Sequence, residues 1–187
     1  MTTSLFYRSP AEAEGHEPLI LTAELDEVAA ARLEAWRRAH YPPERNRVPA
    51  HLTLFHKLPG DCHDAIDEHL TERCWTIDPL AGRALGLRFM GHGICVDIDA
   101  PALVRLRAEL AVAWRAALSP QDRQRFVPHV TIQNKVTPEK ARRTMQGLEA
   151  IFDPFSCRIE GLALWRYRGG PWEEVAAYPF GAAPLAR

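Results

Sequence analysis

Hydrophobic and polar positions along the chain fall into short strand-like runs alternating with stretches of helical period. Pro18-Leu-Ile-Leu-Thr-Ala-Glu-Leu25 reads as a strand, and Asp26 can cap a helix to about Ala39 that turns Val28, Ala29, Leu33 and Trp36 inward. Tyr41-Pro42-Pro43 ends it. A strand follows over Val48 to Leu58, then a helix capped by Asp61 with Cys62, Ile66 and Leu70 on one face. Two strands, 83–90 and 93–99, hinge at Gly91-His92-Gly93. Residues 101–118 form an amphipathic helix (Leu103, Leu106, Leu110, Trp114, Ala117) closed by Ser119-Pro120. A strand from Phe126 to Val136 leads to Thr137-Pro138, a cap followed by proline at the first helical position, with Ala141, Met145, Leu148 and Phe152 in register. Strands 155–167 and 172–180, joined through Gly169-Gly170-Pro171, finish the chain. The reading is an α+β fold with short connections: an N-terminal extension, 1–17, and one domain, 18–187.

One segment occurs twice. Val48-Pro-Ala-His-Leu-Thr-Leu-Phe-His-Lys57 superimposes without a gap on Phe126-Val-Pro-His-Val-Thr-Ile-Gln-Asn-Lys135, at a constant offset of 78 positions. Each copy precedes a helix. The expected architecture is therefore bilobal, duplicated strand-helix units related by a pseudo-two-fold axis, with antiparallel sheets flanking a central cleft.

Alternation along a strand puts His51, Thr53, Phe55 and Lys57 on one face and Leu52, Leu54 and His56 on the other. In the second copy His129, Thr131, Gln133 and Lys135 share a face, opposite Val130 and Ile132. The aliphatic faces fix the register and aim the His-Thr pairs outward. Two imidazoles, two hydroxyls and two ammonium groups converging across a cleft make a phosphate site. Imidazole titrates near pH 6.5, so one histidine can act as acid while the other acts as base. In-line displacement at phosphorus needs such groups on opposite sides, with Thr53, Thr131, Lys57 and Lys135 placed to hold the phosphate. A single His-x-Thr triplet would mean little; two in matched contexts carry the argument.

Composition narrows the setting. Among 187 residues, 47% are hydrophobic and 25% charged, the balance of a globular domain. No apolar run approaches a membrane span and no signal-peptide pattern opens the chain, so the expected location is cytoplasmic. Cys62, Cys74, Cys95 and Cys157 form no C-x-x-C pair and read as structural thiols. A net charge of -1 excludes binding nucleic acid by bulk charge alone. Charge is uneven, however: residues 1–94 carry a net -4 and residues 95–187 a net +3.

The paired motifs His51-Leu-Thr-Leu54 and His129-Val-Thr-Ile132 resemble the signature of the two-histidine phosphoesterases, the 2′-5′ RNA ligase-like superfamily. The resemblance covers roughly residues 18–180, and Gln121 to Val136 looks like one bacterial branch of it. It implies metal-free, ATP-independent chemistry on 2′,3′-cyclic phosphates or 2′-5′ linkages, with reversible joining of RNA ends in some members. It also implies His51 as proton donor, His129 as acceptor, and Thr53 and Thr131 as phosphate holders. Where better-studied members often follow the second motif with an arginine, this chain has Gln133, Asn134 and Lys135. Lysine supplies charge without a bidentate fork, a difference that bears on the substrate more than on the reaction.

Other features are ambiguous at this level. His56, His63 and His69 surround the first motif, but their spacing matches no metal site, and neither metal nor cofactor is expected. His92 can reach the cleft from its turn. Trp165 and Tyr167, near Arg166, Arg168 and Trp172, can stack a base or simply pack a hairpin rim. Arg123 and Arg125 can hold outlying phosphates or be solvated, and Gln133 is a candidate substrate contact. The expected partner is an RNA end or nucleotide bearing a cyclic phosphate or 2′-5′ linkage, with no membrane and a monomeric chain. The readings set against this are a non-catalytic nucleotide-binding module and a metal-dependent hydrolase.

Overall fold

A computed structural model describes residues 17–169 and 171–181; the N-terminal extension proposed for 1–17 lies outside these except for Glu17. The elements run β1 Leu19–Leu25, α1 Glu27–His40, β2 Leu52–Leu58, α2 His63–Trp75, β3 Leu80–Phe89, β4 Ile94–Asp99, α3 Pro101–Ala113, β5 His129–Gln133, α4 Pro138–Glu149, β6 Phe155–Tyr167 and β7 Trp172–Pro179. All strand pairings are antiparallel, in the order β1-β2-β5-β4-β3-β6-β7, and β6 also pairs with β1. That last pairing closes the sheet on itself. The separate sheets expected from the sequence are thus one continuous sheet, joined between β2 and β5 at Leu52 and Val130.

Side-chain alternation builds the core on one side of this sheet. Leu19, Leu21, Ala23 and Leu25 of β1, Leu52 of β2, Ile94, Val96 and Ile98 of β4, Val130 and Ile132 of β5, and Leu162 and Leu164 of β6 are buried in one cluster. Helices cover it with Leu33, Ile66, Leu70, Leu103, Leu110, Trp114 and Leu148. Each fully buried aliphatic side chain stabilises the fold by roughly 1.5–3 kcal/mol, which makes a one-residue slip of any central strand costly. Two expected caps form: Asp26 accepts from the Ala29 amide at 3.0 Å and Thr137 from the Lys140 amide at 3.3 Å. No helix among the described residues is long and apolar enough to cross a membrane.

Several expectations are corrected. Val28 is 80% exposed rather than inward, while Ala29 and Leu33 are buried as expected. Asp61 lies in a single 3-10 turn, Gly60–Cys62, and α2 starts at His63 without a side-chain cap. The α-helical part of 101–118 stops at Ala113 and tightens into a 3-10 turn over Arg115–Ala117. Strands expected from 48 and 126 begin only at Leu52 and His129, because Pro49 and Pro128 have no N–H to give a ladder.

The most informative correction lies inside the motif strands. Thr22 pairs with Thr53 but Leu21 with Phe55, so Leu54 is an extra residue, a β-bulge. Cys95 pairs with Thr131 but Ile94 with Gln133, so Ile132 is extra too. An extra residue shifts the face by one, and Phe55 and Gln133, assigned to the site face by alternation, are both 0% exposed. Phe55 packs edge-on against Trp114 at 5.3 Å. Phe55→Ala is expected to cost about 3–5 kcal/mol in chemical denaturation, whereas Val28→Ala stays within about 0.5 kcal/mol; a Phe55→Ala cost below about 1 kcal/mol would show that the ring is not core.

Candidate active site

The site is assembled by the shortest ladder in the sheet. Leu52 and Val130, both 0% exposed, face each other across β2 and β5. Antiparallel counting from this pair sets position 51 beside 131 and position 53 beside 129, all four on the face away from the core. Directly opposed side chains start about 4.5–5.5 Å apart at Cβ. His51, Thr53, His129 and Thr131 are each half-buried. The two histidines are held alike: Nδ1 of His51 lies 2.6 Å from the Pro49 carbonyl and Nδ1 of His129 lies 2.8 Å from the Val127 carbonyl. A carbonyl can only accept, so Nδ1 carries the hydrogen and Nε2 of each ring is left for chemistry.

A cleft of about 560 Å³ opens beside His51 and Thr131, lined by Arg37, Tyr41, Arg45, Arg47, Tyr167 and Trp172. Trp172 leans on the His51 ring at 5.2 Å between centroids and on Trp165 at 6.2 Å. Trp165 lines a smaller cavity on the other side of His51, and its indole N–H donates to Thr22 Oγ1 at 2.8 Å. Burial pushes the His51 pKa down to about 4, with the Pro49 carbonyl opposing the shift and the nearby Arg37, His129 and His56 adding to it. In the unliganded chain this ring is neutral at pH 7.

Arg37 ties the site together and carries no motif in the sequence. It is 4% exposed on α1 and donates to the carbonyl of Thr131, to Asn46 Oδ1 at 2.8 Å and to the carbonyl of Val48 at 2.9 Å. Its neighbour Glu34, 3.4 Å from Arg37 Nε, accepts from the Ala50 amide at 2.9 Å. One buried ion pair thereby fixes the segment leading into His51 and the backbone of Thr131. On the other side Arg107 of α3 donates to the carbonyls of Leu54 and Asp122, and the Asp122 carboxylate accepts from the His56 and Lys57 amides at 2.7 and 3.0 Å. Each helix thus sends an arginine to the bulge of the other motif strand.

The remaining candidates divide. Tyr167 reaches the cleft, and Trp165 backs it. Gln133 does not: it is buried, and its amide donates to the carbonyl of His40 and to Thr144 Oγ1, both at 3.1 Å. Lys57 and Lys135 are exposed and do not line the cleft, since the bulges change the face beyond Thr53 and Thr131; Lys135 also adopts φ 61° after Asn134, which does line it. His92 is exposed in its turn, with Nδ1 3.1 Å from the Val136 carbonyl, and braces that loop. Arg125 lies in a different groove, with Arg123, Phe126 and Pro128. Arg45 and Arg47 stand six and four positions ahead of His51, as Arg123 and Arg125 stand ahead of His129, and that spacing is the signal by which they can be found.

A sequence model described as the 2′-5′ RNA ligase superfamily matches residues 25–171. The chain belongs to this superfamily. No curated protein matches it. Among solved structures, TT0787 of Thermus thermophilus is similar at a TM-score of 0.64 and 19% identity, over 88% of this chain and 98% of that one. Escherichia coli LigT complexed with 3′-AMP is similar at 0.59 and 18%, over 90% of this chain and 100% of that one. The same protein complexed with NADP+ is similar at 0.56 and 17%, with the same coverage. At these identities the likeness extends to the fold.

The depressed His51 pKa has a signed consequence. An unfolded histidine binds its proton near pH 6.5 while folded His51 does so only near pH 4, so the unfolded state gains the proton first as pH falls. Folding stability from this residue is full above about pH 6.5 and declines toward pH 4. NMR titration is expected to show His51 neutral down to the low end of that window, and denaturant unfolding of His51→Asn should lose part of the pH slope. A His51 ring titrating near pH 6.5 would contradict the environment described.

Proposed function

We propose that this superfamily member is a metal-independent phosphodiesterase that hydrolyses 2′,3′-cyclic phosphates of RNA ends or nucleotides, by acid–base catalysis from two histidines. Reversible 2′-5′ joining of RNA ends uses the same groups in the same sense, with a 5′-hydroxyl in place of water and O3′ as the leaving oxygen. The observation carrying this reading is the Leu52–Val130 pair, which sets His51, Thr53, His129 and Thr131 on one accessible face. That the pair joins positions 78 apart, the same offset that relates the motifs, supports a pseudo-two-fold axis through it and an origin in duplication. The bulges at Leu54 and Ile132 support the same symmetry. LigT complexed with 3′-AMP supports a nucleotide with its phosphate at the sugar edge as the type of ligand.

In hydrolysis, His129 Nε2 takes a proton from water as the water oxygen bonds to phosphorus. The bond from phosphorus to O2′ or O3′ breaks, and that oxygen receives a proton from His51 Nε2. Thr53 and Thr131 hydroxyls donate to the non-bridging oxygens, where charge develops. His51 is neutral without ligand, so its service as donor depends on the phosphate anion, whose charge raises its proton affinity and offsets that of Arg37. Donor and acceptor exchange in the opposite direction, when a 2′-5′ linkage is cleaved back to a cyclic phosphate.

Purified protein in EDTA is expected to open nucleoside 2′,3′-cyclic phosphates and cyclic-phosphate-ended RNA, with kcat/KM bell-shaped in pH. His51→Ala and His129→Ala should each lose about 10²–10⁴-fold. Turnover at wild-type rate in either variant, or activity abolished by EDTA, would refute the mechanism. Tight nucleotide binding without product would favour the non-catalytic module.

A further inference from the structure

Helix α3 is apolar on two faces. Leu103, Leu106, Leu110 and Trp114 pack into the core, while Val104, Ala108 and Val112, at i, i+4 and i+8, form a second stripe that is exposed. A surface helix ordinarily turns polar side chains outward, so a second apolar stripe needs a cover. The stripe lines a groove. Its two parts, of about 800 and 550 Å³, run into one another at Arg107 and Arg123, which line both. One wall is α3, and the other is the irregular segment that runs through Arg123 to Pro128, joined by Leu85 of β3. Leu85, Val104, Val112 and Val127, half of the large hydrophobic side chains exposed among the described residues, line this groove, Val112 with 76% of its surface open.

The rims are positive. Arg115, Arg123 and Arg125 are exposed, and among the described residues none has a carboxylate within ion-pair distance. Arg107 lies beneath them, buried, its guanidinium donating to the carbonyls of Leu54 and Asp122. The carboxylates that line the groove are Asp97, already held by Arg88 at 2.8 Å, and Asp99. The one carboxylate of α3, Glu109, is bound to Arg73 of α2 at 2.9 Å. Three guanidinium groups thus stand around a floor of aliphatic side chains.

This combination selects an occupant. A small anion would satisfy the charge and leave the aliphatic stripe wet. Single-stranded RNA would find charge but no open ring on which to stack its bases: Phe126, the one ring lining the groove among the described residues, is partly buried, with Arg107 over it at 5.8 Å. A second copy presenting the same face would set arginine against arginine. An acidic segment with aliphatic side chains at helical spacing satisfies both features, and the 13 residues of α3 offer it a track of about 20 Å. We propose that the groove between α3 and the segment 118–128 docks an acidic amphipathic helix of a partner protein. Its apolar face covers Val104, Ala108 and Val112, and its flanking carboxylates pair with Arg115, Arg123 and Arg125. The surface lies apart from the two-histidine face, since neither His51 nor His129 lines it.

The test uses a fluorescein-labelled peptide of about four helical turns, with leucines along one face and glutamates elsewhere. Its controls are the same residues scrambled so that the leucines share no face, the peptide with lysine in place of glutamate, and a labelled single-stranded RNA. Fluorescence anisotropy is expected to show the first peptide binding at least tenfold more tightly than each control. Val104→Asp/Val112→Asp should weaken it at least tenfold. Arg115→Glu/Arg123→Glu should do the same and restore affinity for the lysine peptide, a swap that loss of folding does not produce. All four positions are exposed, circular dichroism reports whether each variant folds, and either double variant decides alone if the other does not. Methyl NMR shifts on adding the peptide are expected at Leu85, Val104, Val112 and Val127. Binding unmoved by the variants, equal binding of the scrambled peptide, shifts at the histidine cleft instead, or no binding at millimolar peptide would overturn the proposal. So would RNA preferred over the peptide and lost with the arginines, which makes the groove a nucleic-acid surface. Self-association in sedimentation that Val112→Asp abolishes would make a second copy the occupant and overturn it as well.

Discussion

A single antiparallel bridge, Leu52 to Val130, fixes where everything chemical in this protein can be. Both residues are fully buried, so the positions on either side of each must point away from the core. Those positions are 51, 53, 129 and 131. The bridge joins residues separated by the repeat offset, so each His-x-Thr segment meets the other across it. Two histidines and two threonines are then set on one face of the sheet, with the segment ahead of each strand orienting its imidazole. The precision of the site is inherited from aliphatic packing, which tolerates a displaced strand far less well than a flexible loop would.

That placement would be lost if the motif strands continued as regular ladders. The bulges at Leu54 and Ile132 turn Phe55 and Gln133 into the interior directly after the His-x-Thr segment. A bulge disrupts the ladder, and here buried arginines meet the disturbed backbone: Arg37 at Thr131 and Arg107 at Leu54. Their charge is costly to bury. Glu34 is the partner that offsets it for Arg37, while Arg107 stacks over the Phe55 ring at 4.5 Å and binds carbonyls. The same groups that stabilise the bulges therefore hold the backbone beside the two histidines, joining stability to geometry at the same atoms.

Strands, helices and the His-Thr pairs were legible in the sequence because each depends on local periodicity or on an internal repeat. Asp26 and Thr137 cap as their positions foretold, since a cap is decided within four residues. Phe55, Gln133, Lys57 and Lys135 were misplaced for one shared reason: a period of two has no means of registering an inserted residue that only the partner strand reveals. Arg37 was invisible for a different reason. It is one of three arginines on α1, and only tertiary contact across 94 positions to Thr131 singles it out. Val28 failed because a hydrophobic residue near a helix start satisfies a periodic pattern without facing anything. The upstream arginine pairs were within reach, and comparing the two copies beyond their apolar segment exposes them.

In the proposed mechanism the two histidines play different parts, one giving a proton and the other taking one. The surroundings supply the difference where the repeat does not extend. His51 has Trp172 against its ring and the Arg37 guanidinium nearby, and both burial and charge disfavour its proton. His129 stands across from Asp97 on β4, whose carboxylate is held by Arg88 at 2.8 and 3.1 Å, so its neighbour is an ion pair instead of an aromatic wall. The Trp172 contact comes from β7, and β7 pairs with β6 alone in the sheet order. An element outside the six-stranded closed ring thus leans on His51, and the two histidines meet different neighbours on their otherwise matching strands.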